Sequence, residues 1–228
     1  MNRENRSERQ MSDSLLTAVI LTLSGGFQDA YTFFFRGGVY ANAQTGNVVQ
    51  MGTELFKGNV QGALWYLLPI FSFMAGIWVS IAVCRRRAAV STIHWRQQIL
   101  LAEIVILFGV AFIPKSADFA ATSLVSFVCA MQVQAFRKVG DQSYASTMCI
   151  GNIRSGVEAL SRYVYEKDRN SLVRFFKYVA LILIFAVGAG MGYYLSVLWG
   201  GRSIWCSCAL LFVGFCLMCR RQDTAESD

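Results

Sequence analysis

Six long apolar runs divide the sequence, at 15–35, 63–84, 97–114, 119–136, 175–198 and 203–219. Each is close to the roughly 20 residues that a helix rising about 1.5 Å per residue needs to cross a hydrocarbon layer of about 30 Å. Backbone polar groups in lipid must be satisfied within their own segment, and the chain has only two prolines, so the runs predict helices rather than short strands. Two further segments, 39–56 and 142–165, mix polar with apolar residues and are too polar for lipid-facing spans. They predict re-entrant or broken helices; if both crossed, the chain would have eight spans instead of six. The expected fold is an all-α polytopic membrane protein with six transmembrane helices and two polar segments.

The polar segments carry a repeat. Asp29, Ala30, Tyr31, Gly46, Asn47 and Val48 align without a gap onto Gln134, Ala135, Phe136, Gly151, Asn152 and Ile153, all at an offset of 105. The same offset maps the first three apolar runs onto the last three. Units of three crossings put the second copy into the membrane from the opposite face, so a 3+3 inverted-topology repeat is predicted. The chain then divides into a cytoplasmic tail (1–14), a first membrane repeat (15–117), a second (118–219) and a second cytoplasmic tail (220–228).

Charge orients this arrangement. The net charge of +7 comes from basic clusters between the apolar runs, not from a soluble face, which argues against nucleic acid as a partner. In the six-span arrangement 17 of the 21 lysines and arginines fall on one side, leaving Arg36, Lys57, Lys115 and Arg202 on the other. The positive-inside rule then places both termini in the cytoplasm. Trp65, Tyr66, Trp199 and Trp205 lie at expected outer boundaries and Trp95 at an inner one, as in aromatic belts. The first run is longer than a signal-peptide core and is expected to remain as a helix.

The repeated blocks supply the candidate site. Asp29 lies about fifteen residues into the first helix, where an ionised carboxylate costs at least about 2.5 kcal/mol and must face protein or water. It is either a proton- or cation-sensitive group in a transport path or a carboxyl hydrogen-bonded between helices. Thr45 and Asn47 can cap a helix or bind a solute, and Gly46 permits a backbone break. Gln134, Gly151 and Asn152 take the corresponding places in the second copy, with Thr147 nearby. Arg154 has no basic counterpart; it either reaches inward toward Asp29 or an anionic solute, or stays at the surface. Glu103, six residues into its run, is expected near the surface as a secondary candidate.

Other features point to structure. Gly188 and Gly192 have the G-x-x-x-G spacing that lets helices pack closely. The seven cysteines mostly fall inside apolar runs and read as reduced, small apolar residues, with no metal or cofactor implied by the single Cys216-x-x-Cys219 pair. His94 stands alone in a basic loop, and no H-E-x-x-H, Walker A or G-x-S-x-G motif is found, so no enzyme is expected.

The stretch Gly25-Gly26-Phe27-Gln28-Asp29-Ala30, with Tyr40-Ala41-Asn42-Ala43-Gln44-Thr45-Gly46-Asn47 and Gly52, resembles the signature of the YoaK family of bacterial membrane proteins. Residues 131–138 and 144–156 are similar to that family's second half, with Ile150 where the family has the threonine of Thr-Gly-Asn. The resemblance implies a multi-span bacterial inner-membrane protein and names no substrate. The expected function is a transporter or channel for a small solute or ion, with the lipid bilayer as the other partner. A structural or regulatory membrane component is the competing expectation, and the oligomeric state is left open.

Overall fold

The computed structural model describes residues 15–87, 94–139, 142–143 and 149–226, so the 1–14 tail and Thr147 lie outside the described residues. Within them the regular structure is helical apart from a two-residue pairing of Lys138–Val139 with Gln142–Ser143. Helix α1 (Leu15–Ala30) runs into a π-helical turn, Tyr31–Phe35, and stops where Gly37 and Gly38 take φ of +96° and +77°. Only glycine adopts such angles without strain, and the Gly37 carbonyl accepts a hydrogen bond from the Trp65 indole at 3.2 Å. Next come α2 (Gln44–Phe56), α3 (Val60–Arg87) and α4 (Trp95–Val110). The second half holds α5 (Asp118–Ala135), α6 (Cys149–Glu166), α7 (Arg169–Trp199) and α8 (Ile204–Glu226).

Among the described residues, Val60–Arg86, Lys115–Ala135 and the 51-residue stretch Arg169–Cys219, which holds both α7 and most of α8, are long and apolar enough to cross a membrane. Helices α1 and α4 have 16 residues each and put one face into the core. The two polar segments are helices too, but α2 has 13 residues, about 20 Å at 1.5 Å per residue, which is short of a hydrocarbon layer. Helix α6 keeps Arg154, Glu158, Arg162 and Glu166 exposed. Outside the core, Phe71, Trp78, Val105, Leu183, Val187 and Phe212 are also exposed. A soluble monomer seldom leaves so much large apolar surface in contact with water, whereas a helical membrane protein presents it to lipid.

Four helices make the centre. Helix α1 packs on α8, α8 on α4 and α4 on α5, and the core includes Leu21, Phe27, Leu100, Leu107, Val125, Val128, Ile204 and Leu211. Helix α7 covers α1, α3 covers α5, and α2 and α6 lie against α3 and α7. Contact registers give the directions. Gln28 meets Cys129 and Arg36 meets Asp118, so α1 and α5 are antiparallel. Gln97 meets Cys219 and Trp205 meets Phe108, so α4 and α8 are antiparallel. Tyr31 meets Gly201 and Ser24 meets Ser207, so α1 and α8 are antiparallel.

The covering pairs are parallel, and small residues bring them close. Leu23 faces Gly188 and Phe27 faces Gly192 across α1 and α7, while Gly76 and Ser80 of α3 meet Phe127 and Met131 of α5. A Cβ at Gly26 or Gly188 would lie 2.1 Å from the carbonyl oxygen of Phe185 or Leu23. The G-x-x-x-G spacing is therefore a packing surface, as its sequence implies.

Candidate functional site

The strongest concentration of buried polar chemistry is centred on Glu103. Its helix begins at Trp95, capped by the His94 ring and the Gln97 side chain, so Glu103 falls midway along α4. Its side chain is fully buried. This corrects the expected near-surface position, which counted depth from the edge of the apolar run; Gln97, at that edge, is itself buried.

All four inner helices contribute to the surroundings of Glu103. The Gln28 amide nitrogen on α1 lies 3.1 Å from its carboxyl and 3.0 Å from both Ser24 Oγ and Ser207 Oγ. Two hydrogens serve three acceptors, so the cluster holds more than one hydrogen-bond arrangement at fixed atom positions. The two hydroxyls are 2.7 Å apart, and the Cys129 thiol of α5 donates to the Gln28 carbonyl oxygen at 2.6 Å. With its nitrogen turned to Glu103, the Gln132 amide donates to both carboxyl oxygens at 3.0 and 3.2 Å; turned the other way, it reaches the Leu21 carbonyl at 3.3 Å. Among the described residues, no cation pairs with Glu103.

Asp29 adjoins this cluster and ties α1 to the entrance of α2. It accepts the Asn42 backbone N–H at 2.7 Å, with the N–H groups of Ala41 and Ala43 beside it. Cys129 lies within electrostatic reach of both Asp29 and Glu103. Next to it the buried Asn42 side-chain oxygen has no hydrogen-bond donor among the described residues. Asp29 is thus a hydrogen-bonded carboxyl between segments, without an ion pair among the described residues.

Asn47 clamps the same entrance. It accepts the Tyr40 N–H at 3.1 Å and donates to the Tyr40 carbonyl at 2.8 Å and to Gln44 at 3.0 Å. Gly46 lies against the Tyr40 ring. Asn47 is the buried residue of α2, and Asn152 is buried on the face of α6 that carries Gly156 against Tyr178.

The other predicted residues are not brought together with these. Thr45 is exposed on the far side of α2, and Gln134 and Gly151 are half-buried. Arg154 is exposed and pairs with Glu158 one turn along α6 at 3.0 Å, so its inward reading is corrected. A cation on a solvated helix face keeps its hydration and an i,i+4 partner, which an inward turn would forfeit.

A second buried charge was also missed. Arg36, expected in an outer loop, is 1% exposed and bonds Asp118 at 2.9 Å, Tyr31 Oη at 2.8 Å and the carbonyls of Ile113 and Val110. It locks the ends of α1 and α4 to the start of α5. The Gly37 and Gly38 turn that follows let it read as a loop residue.

Comparison with known proteins gives a family and no function. The family described as Protein of unknown function (DUF1275) matches residues 17–217. The chain belongs to the DUF1275 family. That match covers both repeated blocks and all four inner helices of this DUF1275 protein, up to the last turns of α8. No curated protein and no solved structure matches it.

Proposed function

We propose that this DUF1275 chain is a six-span bacterial inner-membrane protein with cytoplasmic termini that passes a small solute or ion through the centre of the α1, α4, α5 and α8 bundle. The observation that carries this reading is the buried Glu103 carboxyl, surrounded by amides, hydroxyls and thiols and by no cation among the described residues. A buried carboxyl without a fixed counter-charge takes its compensation from a mobile one, a proton or a cation. Asp29 extends the polar path toward the loop before α2, where Asn42 adds an oxygen unmatched among the described residues. The reading invokes no cofactor, catalytic step or nucleic acid. The resemblance to the YoaK family agrees with it.

Helix directions support six spans. If α2 and α6 do not cross, α1, α4 and α7 run outward and α3, α5 and α8 run inward. That makes α1/α5, α4/α8 and α1/α8 antiparallel and α1/α7 and α3/α5 parallel, in agreement with the contact registers. Eight crossings would make α1 and α5 parallel. The registers also support the inverted repeat, because α1 and α5, and α4 and α8, are the pairs related by the 105-residue offset. Its axis would run beside Glu103 and its counterpart Cys208, and between Ser24 and its counterpart Cys129.

Purified protein in liposomes tests the proposal against a panel of monovalent cations and proton gradients. Wild type is expected to dissipate a gradient and Glu103→Gln to reduce the flux at least tenfold while remaining folded. Unchanged flux in folded Glu103→Gln would remove the carboxyl from the path. A structural or regulatory role is the alternative, favoured by Asn47, whose amide is wholly used in local bonds. It predicts no flux above protein-free liposomes for any ion or solute tried.

A further inference from the structure

We propose a second site: the cavity at the end of the bundle where α1 and α4 finish and α8 begins binds a phosphate-bearing anion. This is independent of what passes through the centre. The cavity has a volume of about 420 Å³, within the range of small-ligand pockets, and its lining includes Phe35, Arg36, Phe112, Lys115, Trp199 and Arg202. Three of the four basic residues that the six-span arrangement leaves on the outer side thus converge on one hollow.

Their charges are unequally matched. Arg36 is neutralised by Asp118, and four of its five N–H groups are taken by Asp118, Tyr31 and two carbonyls, so it forms a fixed wall. Lys115 spends one N–H on the Phe35 carbonyl and lies 3.7 Å from the centre of the Phe35 ring. The exposed Arg202 guanidinium engages no acid or carbonyl among the described residues. Two positive charges therefore line the hollow without a counter-charge among the described residues, and guanidinium and ammonium groups together suit a phosphate. Phe112 and Trp199, 68% and 57% exposed, flank it with apolar surface. At a bilayer boundary, that combination fits the headgroup and upper acyl chain of an anionic phospholipid, and the same cations would also hold free phosphate.

Native mass spectrometry of the full chain, released from nanodiscs of phosphatidylglycerol or phosphatidylcholine, tests the site. Wild type is expected to retain one more phosphatidylglycerol than the Lys115→Gln/Arg202→Gln variant, with affinity for that lipid at least about tenfold higher. Arg154→Gln, a change to an exposed arginine at α6, should retain as much as wild type. If neither lipid is preferred but millimolar inorganic phosphate raises the melting temperature of wild type and not of the double variant, the site takes a free anion. Equal phosphatidylglycerol retention by wild type and variant, with no phosphate effect, overturns the proposal. Should the double variant melt lower without ligand, Arg202→Gln alone, which breaks no contact among the described residues, carries the comparison.

Discussion

The close approach of α1 and α7 yields the sharpest stability prediction. In Gly26→Ala the new methyl carbon would lie 2.1 Å from the Phe185 carbonyl oxygen, and in Gly188→Ala 2.1 Å from that of Leu23. Carbon and carbonyl oxygen settle near 3.3 Å even in favourable contacts, so each substitution pushes the helices apart by about 1 Å. Both obstacles are backbone, and no rotamer change relieves them. A gap of that size forfeits between about a quarter and a half of the dispersion energy along the seam, which in lipid is the main force holding helices together. Each single variant should lose about 3 kcal/mol, the upper part of the usual overpacking range.

The two losses should not add. Once one methyl has separated the helices, the second enters space already opened, so the double variant should lose about 4 kcal/mol rather than about 6. Gly190→Ala is the internal control, because nothing lies within 4 Å of its added carbon. There alanine's better helix propensity, about 1 kcal/mol, should leave stability unchanged or raised. Unfolding in mixed micelles of dodecyl maltoside and sodium dodecyl sulfate, followed by circular dichroism, measures all four. Gly188→Ala as stable as Gly190→Ala, or strict additivity of Gly26→Ala and Gly188→Ala, would refute this account of the seam.

The same unfolding assay checks three other expectations. Asn47→Ala removes three hydrogen bonds of 2.8–3.1 Å and should cost about 2–3 kcal/mol, with faster hydrogen exchange in α2. Asp118→Leu strands the buried Arg36 guanidinium and should cost about 3–5 kcal/mol, whereas Arg36→Met with Asp118→Leu should recover most of that loss. Glu103→Gln preserves shape, and the Gln132 amide can turn its oxygen to accept from the new NH2, so the variant should stay within about 1 kcal/mol of wild type and a flux defect in it would reflect chemistry rather than unfolding.

Helix content and the glycine seam were legible because each depends on local periodicity and spacing. The polar segments were half legible: 39–56 and 142–165 read as too polar for lipid-facing spans and as re-entrant or broken helices, and they contain α2 and α6, of 13 and 18 residues. The centre was harder to see. Glu103 looked peripheral because depth was measured from the edge of an apolar run, but α4 begins at Trp95 and carries Gln97 inside the protein. One signal was available, since Glu103 is the only charged residue within 97–114. Arg36 and Arg154 illustrate the opposite limit. Both are arginines beside polar blocks, and only tertiary contact decides that the first is buried against Asp118 and the second solvated beside Glu158.

The inequality of the two halves follows from where the proposed axis runs. Residues far from it meet unrelated neighbours, so a duplicated chain can keep the same side chain at both places, as Asn47 and Asn152 do, each buried on its own short helix. Residues beside the axis meet their own copies. Ser24 and Cys129 both face Gln28, and Glu103 lies within electrostatic reach of Cys208. Retaining the carboxyl in both copies would bring two acids together in a low-dielectric centre, where they could not both ionise without strong repulsion. A thiol opposite the carboxyl avoids that conflict and leaves one titratable acid for Gln28, Gln132, Ser24 and Ser207 to surround. On the proposed repeat, a single acid at the centre is therefore the arrangement that electrostatics permits, and it concentrates the functional question on Glu103 rather than on the matching Gly-Asn pairs.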